Sequence, residues 1–226
     1  MLTGESAGGL ATFHWTNYVA SRVAKETKFW SIPDSGVFMD ETNIITKQNS
    51  YRIWFQNILK FSNEEVGTPI PECNNKYSTE LWKCMFAQYI HPFITVPIFA
   101  PQSLYDSWSL YNIIGIRCMN SNSLASCGTN EMKVIEAYRQ STMQVLFEMA
   151  SKNQNGVWGP ICVNHCYLSN EYYSSQNYRI PAASDYSLIR SVQLWMEGSD
   201  DNPRHLDFGS WPNNAPCSGI ALSLNK

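Results

Sequence analysis

The chain has 226 residues, a formal net charge of −3 and 44% hydrophobic residues. This length and apolar content suffice for a substantial core, so we expect residues 1–226 to form a single domain. The small net charge without a dense basic run argues against a nucleic-acid partner, and the lack of about 18 uninterrupted apolar residues argues against a membrane span.

A Gly-x-Ser-x-Gly motif starts at Gly4 and centres on Ser6. In serine hydrolases of the α/β type, a strand leads into a strained turn that presents the serine hydroxyl, and a helix follows at once. Glycines two residues before and after the serine are expected because backbone segments approach closely there. Residues 1–3 are long enough only for the end of that strand, and the helix is predicted to run towards Lys25. We therefore expect a truncated enzyme whose N-terminal part is missing from this sequence.

Predicted strands and helices alternate along the rest of the chain, as in a mostly parallel sheet covered on both faces. Apolar runs predict strands at residues 28–32, 93–100 and 156–163. Helical patterns are found at residues 44–61, 81–86, 107–116, 131–152 and 184–196. The polar segment from Gly198 onward is expected to be irregular.

The seven cysteines indicate disulfides rather than a zinc site. Six of them lie in pairs close in sequence (73/84, 118/127 and 162/166), although the spacing leaves open whether the last two bridge each other. Cys217 is left over, which implies a free thiol, an intermolecular bridge or a partner outside this sequence. Cys-x-x-Cys pairs and His clusters are absent, so we expect no metal and no cofactor. Together with the charged fraction of only 15%, the cysteines favour a secreted protein, although Met1 does not begin a signal peptide.

The four histidines can be compared as candidates for the general base of a Ser-acid-His triad. His14 follows Ser6 on the same helix, about 12 Å along its axis. His91 precedes the best acid candidate, which breaks the usual chain order, and His205 is expected at the surface of the tail. His165 follows a predicted strand and lies in a loop, where a triad base belongs, so it is the preferred candidate.

Two aspartates are candidates for the acid that orients the base. Asp106 lies just beyond the predicted strand 93–100 and before His165 in the chain, but it could equally cap the helix 107–116. Asp34 also ends a predicted strand, although Pro-Asp-Ser-Gly strongly indicates that it is a turn residue. The residues alone leave these alternatives open.

Four segments occur in an order that is more specific than the Gly-x-Ser-x-Gly motif alone. They are Gly-Glu-Ser-Ala-Gly-Gly at 4–9, Asp-Ser-Gly-Val-Phe-Met-Asp at 34–40, Tyr-Asp-Ser-Trp at 105–108 and Cys-Val-Asn-His-Cys at 162–166. Together they resemble the pectin acetylesterase/Notum family. Pro-Glu-Cys at 71–73 and Leu-Trp-Lys-Cys at 81–84 also look like the family's paired cysteine segments. The resemblance covers most of residues 1–170.

This resemblance implies an α/β-hydrolase-like fold and a secreted, disulfide-bonded serine esterase. It implies that Ser6 is the nucleophile, Asp106 the orienting acid and His165 the general base of an acyl-enzyme mechanism. The backbone N–H of Ala7 would contribute to the oxyanion hole, since it follows the nucleophile. Acetylated polysaccharide or another ester would be the substrate of a deacetylase that acts as a monomer.

The resemblance also places Phe38, Met85, Phe86 and Trp108 in the acyl pocket, although Met85 and Phe86 fit ordinary core positions equally well. A tryptophan two residues after the acid would narrow such a pocket. We therefore expect the acyl group to be short, acetyl rather than long-chain.

Two departures from the family pattern keep other functions open. Glu5 stands where the family carries a small residue, and its motif also occurs in type-B carboxylesterases, so a carboxylesterase or lipase-like hydrolase is one alternative. The family's N-terminal Gly-Gly-Gly-Trp type loop, which supplies further oxyanion donors, is not in this sequence. Because one donor contributes about 10²–10³ in rate, we expect this chain by itself to be inactive or poorly folded. A catalytically inactive member or binding module is the second alternative.

Overall fold

The computed structural model describes residues 1–62, 67–169, 178–180, 186–198 and 204–213. Its strands are β1 (Leu2–Glu5), β2 (Ser31–Asp34), β3 (Phe99–Pro101), β4 (Gly156–Gly159) and β5 (Arg204–Leu206). Its α-helices are α1 (Ala7–Ala20), α2 (Ser50–Phe61), α3 (Pro71–Lys76), α4 (Ala87–Ile90), α5 (Ser107–Ser109), α6 (Thr129–Ala150) and α7 (Leu188–Glu197). Shorter helical turns are Leu81–Met85 and His91–Phe93, both 3-10, and the π-helical Leu110–Ile114.

The strands pair in parallel and in chain order. Leu2 of β1 lies opposite Ser31 of β2, while Phe99 of β3 lies opposite Gly156 of β4, which in turn pairs with β5. A parallel bridge between Ser31 and Ile98 joins β2 to β3. The resulting order β1-β2-β3-β4-β5 brings the carboxyl ends of all five described strands to one edge of the sheet.

Two hydrophobic clusters cover opposite faces of this sheet. Because successive strand residues point to opposite faces, Phe99 and Trp158 belong to one cluster, and their neighbours Ala100 and Val157 belong to the other. The first cluster includes α7, whose Trp195 ring lies 5.4 Å from that of Phe99. The second includes buried residues of α1 and α6. Helices therefore cover both faces, as the sequence predicts.

Prolines account for two of the three differences between the predicted and the observed strands. Residues 93–100 do not form one strand, since residues 91–93 are a 3-10 helix and β3 occupies only Phe99–Pro101. Pro92 and Pro97 lack the N–H that a strand ladder uses. The strand predicted at 156–163 stops at Gly159, immediately before Pro160. β2 starts three residues later than predicted and runs through Asp34.

The helix predictions hold, with shifted ends. The segment 44–61 becomes helical only at Ser50, 131–152 corresponds to Thr129–Ala150, and 81–86 is largely a 3-10 helix. Residues 107–116 combine one α-turn with the π-helical turn. The last helix begins at Leu188, and the start predicted at 184 lies outside the described residues.

The segment after Gly198 is not wholly irregular, which corrects the prediction. Residues 204–206 form β5, and His205, expected at the surface, is only 8% exposed. Its side chain stacks on the ring of Tyr186 at 4.3 Å between centroids. His205 is therefore buried because it pairs with β4 and stacks on an aromatic ring, although the polar sequence around it suggests solvent exposure.

Two of the close cysteine pairs are disulfides: Cys73–Cys84 and Cys118–Cys127. Cys162 is also disulfide-bonded, but Cys166 is not its partner. Cys217 lies outside the described residues. Across the described ranges, no helix has both the length and the apolar content to cross a membrane.

Helix α1 packs very closely on the first two strands, and glycines make this possible. A Cβ atom on Gly9 would lie 2.2 Å from the carbonyl oxygen of Asp34, and one on Gly4 would lie 2.5 Å from that of Gly8. The requirement for glycine at position 4 is thus confirmed. At position 8 the expectation was wrong, because a Cβ there would meet nothing within 4 Å apart from the neighbouring backbone of α1 itself.

We expect Gly9→Ala to lower the free energy of unfolding by about 1–3 kcal/mol or more, because the new methyl group would overlap backbone rather than a movable side chain. Gly8→Ala is the matched control, and it should leave stability unchanged or raise it by up to about 1 kcal/mol, since alanine favours helix. Urea unfolding monitored by circular dichroism measures both. Equal midpoints for the two variants would contradict this packing.

Candidate active site

Ser6 lies in a strained turn between β1 and α1. Its backbone has φ 57° and ψ −120°, a region that L-residues rarely occupy. The Ser6 N–H donates to the carbonyl of Asp34 at 3.0 Å, which ties the turn to the end of β2. The serine side chain makes no capping hydrogen bond to α1, so its hydroxyl is presented away from the helix. This is the strand–turn–helix arrangement of a nucleophile elbow.

The imidazole of His165 bridges Ser6 and Asp106. His165 Nε2 lies 2.8 Å from Ser6 Oγ, and His165 Nδ1 lies 2.6 Å from Asp106 Oδ2. A carboxylate can only accept, so Nδ1 carries the proton shared with Asp106, and Nε2 of the neutral ring accepts from the serine hydroxyl. The three residues selected from the sequence therefore meet in one hydrogen-bonded chain.

Asp106 serves two structural roles through its two oxygens. It is fully buried, and Oδ1 accepts from the N–H of Ser109 at 2.8 Å as the N-cap of α5. Oδ2 faces His165 and also accepts from Nε2 of Gln102 at 3.3 Å. The helix cap that the sequence left open is therefore confirmed, and the same carboxylate contacts His165, while its role as the acid of a triad stays a prediction. The cap fixes the carboxylate that faces the imidazole.

The surroundings of His165 favour its protonated form. Burial by itself lowers the pKa of this imidazole, but the hydrogen bond to Asp106, the contribution of Cys166 and the charge of Asp106 together raise it above the ordinary 6.5. The side chain is 15% exposed. A base whose conjugate acid is stabilised in this way is suited to take a proton from a neighbouring hydroxyl.

The other three histidines have contacts elsewhere in the fold. His14 Nε2 lies 3.3 Å from the carbonyl oxygen of Met85, and burial lowers its pKa to about 4. Burial also lowers the pKa of His91 to about 4. His205, in β5, stacks on the ring of Tyr186.

Two of the four predicted pocket residues border His165. The ring centroids of Phe38 and Trp108 lie 6.3 Å and 6.1 Å from that of His165 and 5.2 Å from each other. Tyr51 completes this group, at 5.6 Å from Phe38 and 5.9 Å from Trp108. We call Phe38, Tyr51 and Trp108 the aromatic wall.

The other two predicted pocket residues lie further back. Phe86 is fully buried, and its ring packs 4.8 Å from that of Phe55 and 6.0 Å from that of Tyr51, behind the aromatic wall. Met85 is partly buried against the hydrophobic core. Their positions match the core interpretation that the sequence had left open.

Ala7 is the first residue of α1 and is exposed. The first N–H groups of a helix have no partner within the helix, so that of Ala7, next to Ser6, is not used by α1 itself. Its role as an oxyanion donor stays a prediction.

Asp34 has a role that the sequence did not indicate. It is fully buried at the end of β2, and its Oδ2 accepts from the N–H groups of Tyr167 and Leu168 at 2.7 and 2.8 Å. Burial raises the pKa of Asp34, while these hydrogen bonds act in the opposite direction. Asp34 is therefore the last residue of β2 rather than a turn residue, and the carboxylate that contacts His165 is that of Asp106.

Gln102 is a second residue that the sequence analysis missed. Its Nε2 donates to Asp106, and its Oε1 accepts from the N–H of Val37 at 3.0 Å. The signal available in the sequence was a glutamine four residues before Asp106, between the end of a predicted strand and the candidate acid. Within the described ranges, no three His, Cys, Asp or Glu side chains form a group that could hold a metal ion.

Comparison with protein families and curated proteins gives consistent matches. A family model for pectinacetylesterase matches residues 1–218. Pectin acetylesterase 4 of Arabidopsis thaliana is 23% identical over 225 residues, which include 96% of this chain and 53% of that protein. The palmitoleoyl-protein carboxylesterase NOTUM of Drosophila melanogaster is 27% identical over 218 residues, or 91% of this chain and 28% of that protein. The chain thus spans about half the length of the plant relative.

Comparison with solved structures identifies the same fold. A crystal structure of the Wnt deacylase Notum from Drosophila matches with a TM-score of 0.75 and 22% sequence identity, over 96% of this chain and 59% of that one. At this identity the likeness concerns the fold. With the parallel sheet and its helices on both faces, it confirms the predicted α/β-hydrolase-like class.

Proposed function

The chain belongs to the pectinacetylesterase family, and on that premise we propose that it acts as a serine carboxylic-ester hydrolase. The observation that supports this most strongly is the position of His165, with Nε2 2.8 Å from Ser6 Oγ and Nδ1 2.6 Å from Asp106 Oδ2. These distances lie within the hydrogen-bond reach that nucleophile activation requires. In this proposal Ser6 is the nucleophile, His165 the general base and Asp106 the orienting acid.

The first half of the reaction forms an acyl-enzyme. Ser6 Oγ attacks the ester carbonyl carbon while His165 Nε2 takes the hydroxyl proton, and the Ala7 N–H donates to the oxygen that becomes negative. The tetrahedral intermediate then collapses, the bond to the alcohol oxygen breaks, and His165 gives its proton to the departing alcohol. The acyl group remains on Ser6 as an ester.

The second half releases the acid. A water molecule attacks the acyl carbon while His165 takes one of its protons, and collapse of the second intermediate returns that proton to Ser6 Oγ. Asp106 keeps Nδ1 protonated throughout, so that Nε2 always faces the reacting oxygen. Its buried negative charge stabilises the imidazolium that forms in each half.

For the substrate, we propose an acetylated polysaccharide. The curated plant relative is named a pectin acetylesterase. The aromatic wall supports a short acyl group, because its three rings pack edge-to-face against one another beside His165 and occupy space that a long chain would need. The fly relative is named for a palmitoleoyl substrate, so acyl length is the point on which these two relatives differ.

We further propose a secreted, monomeric protein in which residues 1–226 belong to one catalytic domain. The disulfides Cys73–Cys84 and Cys118–Cys127 support an oxidising compartment, since such bonds are rare in the cytosol.

Replacement of triad residues tests the mechanism. We expect Ser6→Ala and His165→Gln each to lower kcat/KM for p-nitrophenyl acetate by about 10³-fold or more. Ser6→Ala removes the nucleophile, and His165→Gln removes the base that activates it. The sequence predicts that this chain by itself is inactive or poorly folded, so we expect any wild-type turnover to be slow. Ala7 is the one oxyanion donor assigned in the chain, and each donor contributes about 10²–10³ in rate.

Ser151→Ala, at the exposed end of α6, and His205→Gln are the matched controls and should retain wild-type kcat/KM. Loss of activity in His205→Gln with full activity in His165→Gln would reject the proposed base. Turnover that survives Ser6→Ala unchanged would reject Ser6 as the nucleophile, whereas a folded wild-type chain without any turnover would favour a binding module.

Acyl selectivity tests the aromatic wall. The wild-type chain should hydrolyse p-nitrophenyl acetate faster than the octanoate and release acetate from acetylated pectin. Trp108→Ala should raise the octanoate-to-acetate ratio of kcat/KM by about 10-fold, because removing the indole opens space beside His165. Trp15→Ala, a substitution on the exposed side of α1, is the control and should leave the ratio unchanged. A wild-type preference for octanoate would contradict the proposed acyl length.

A further inference from the structure

The end of β2 contacts the segments of all three triad residues. The carbonyl of Asp34 accepts from the N–H of Ser6 at 3.0 Å. The N–H of Ser35 donates to the carbonyl of Pro101 at 2.9 Å, where β3 ends before Asp106. The side chains of Asp34 and Ser35 reach the loop that follows β4. The backbone of these two residues thus joins the nucleophile turn to the acid strand.

The side chains of Asp34 and Ser35 bind the backbone directly after His165. Three consecutive N–H groups donate to the pair: that of Cys166 to Ser35 Oγ at 3.0 Å, that of Tyr167 to Asp34 Oδ2 at 2.7 Å and that of Leu168 to the same oxygen at 2.8 Å. The Ser35 hydroxyl in turn donates to Asp34 Oδ1 at 2.9 Å. The carboxylate and the hydroxyl therefore hold the backbone immediately after His165 from two directions.

The residues on both sides of this contact have strained backbone conformations. Ser35 has φ 49° and Cys166 has φ 67°, in the left-handed region that residues other than glycine rarely occupy. Such conformations persist where surrounding contacts fix them, and they are frequent at active sites. Asp34 and Ser35 are fully buried, so water does not compete for their oxygens.

We propose that Asp34 and Ser35 are positioning residues for His165, an inference that rests on the proposed function. Their oxygens bind the backbone of residues 166–168 and so fix the imidazole between Ser6 and Asp106, without touching the substrate or the reacting atoms. A shift of the ring by about 1 Å would lengthen the 2.8 Å contact with Ser6 beyond hydrogen-bond range and cost about 10²-fold in rate.

The test uses the purified full chain with Ser35→Ala, Asp34→Ala and Asp34→Asn. Ser35→Ala removes the acceptor of the Cys166 N–H, and Asp34→Ala removes the acceptor of the N–H groups of residues 167 and 168. Asp34→Asn keeps one oxygen and is the conservative variant. Ser191→Ala is the matched control, because Ser191 is also fully buried and hydrogen-bonded, but to the carbonyl of Ser187, the N-cap of α7.

Turnover is expressed per molecule that a fluorophosphonate labels, so that loss of folded protein does not count as loss of rate. We expect Ser35→Ala and Asp34→Ala to lower kcat for p-nitrophenyl acetate by about 10- to 10²-fold with KM within about 2-fold, and Asp34→Asn to recover part of the loss. A merely structural role would instead lower the labelled fraction and leave kcat per labelled molecule at the wild-type value. Unchanged kcat per labelled molecule in Ser35→Ala and Asp34→Asn would overturn the proposal, whether or not Asp34→Ala folds.

Amide hydrogen exchange supplies a readout that does not depend on activity. Exchange at residues 166–168 should accelerate in Ser35→Ala and Asp34→Asn and remain at the wild-type rate in Ser191→Ala. If the wild-type chain is neither labelled nor active, the proposed esterase function fails, and the exchange rates still decide whether these two residues hold the loop. Unchanged exchange at residues 166–168 in Ser35→Ala would overturn the inference.

Discussion

The hydrogen bond between His165 Nδ1 and Asp106 Oδ2 is the contact on which the rest of the site depends. Asp106 is fully buried, and a buried carboxylate without partners would be very costly. Its oxygens are satisfied by the N–H of Ser109, the amide of Gln102 and the imidazole. With Nδ1 bound to this carboxylate, the other nitrogen of His165 faces Ser6 Oγ at 2.8 Å.

The parallel sheet brings these groups together because each follows, or ends, a different strand. Ser6 comes directly after β1, Asp34 ends β2, Asp106 lies five residues beyond the end of β3 and His165 six beyond the end of β4. Since the strands lie side by side in this order, residues up to 159 positions apart in the chain meet at one edge of the sheet. The Asp34–Ser35 pair lies between the nucleophile and the base, where one residue can contact both segments.

Much of the site could be predicted from the sequence because its chemistry demands particular residue types in a fixed order. A serine in a glycine-flanked turn and a loop histidine late in the chain left few candidates for Ser6 and His165. The prediction of a strand at residues 93–100 was wrong because it gave the apolar composition more weight than the prolines. Strand β5 was missed because three residues are too few to show an alternation of polar and apolar side chains. The role of Asp34 depends on hydrogen bonds to backbone 133 and 134 positions away, which no local pattern encodes.

The central claim is that Ser6, His165 and Asp106 act as one unit. It is tested most directly by the pH dependence of fluorophosphonate labelling, with the modified residue identified by peptide mass spectrometry. Labelling requires neutral His165, and Asp106 raises the pKa of that imidazole. We therefore expect an adduct on Ser6 whose rate of formation rises with pH through a midpoint above 6.5, and a lower midpoint and rate in Asp106→Asn. An adduct on another residue, or a rate independent of pH, would contradict it.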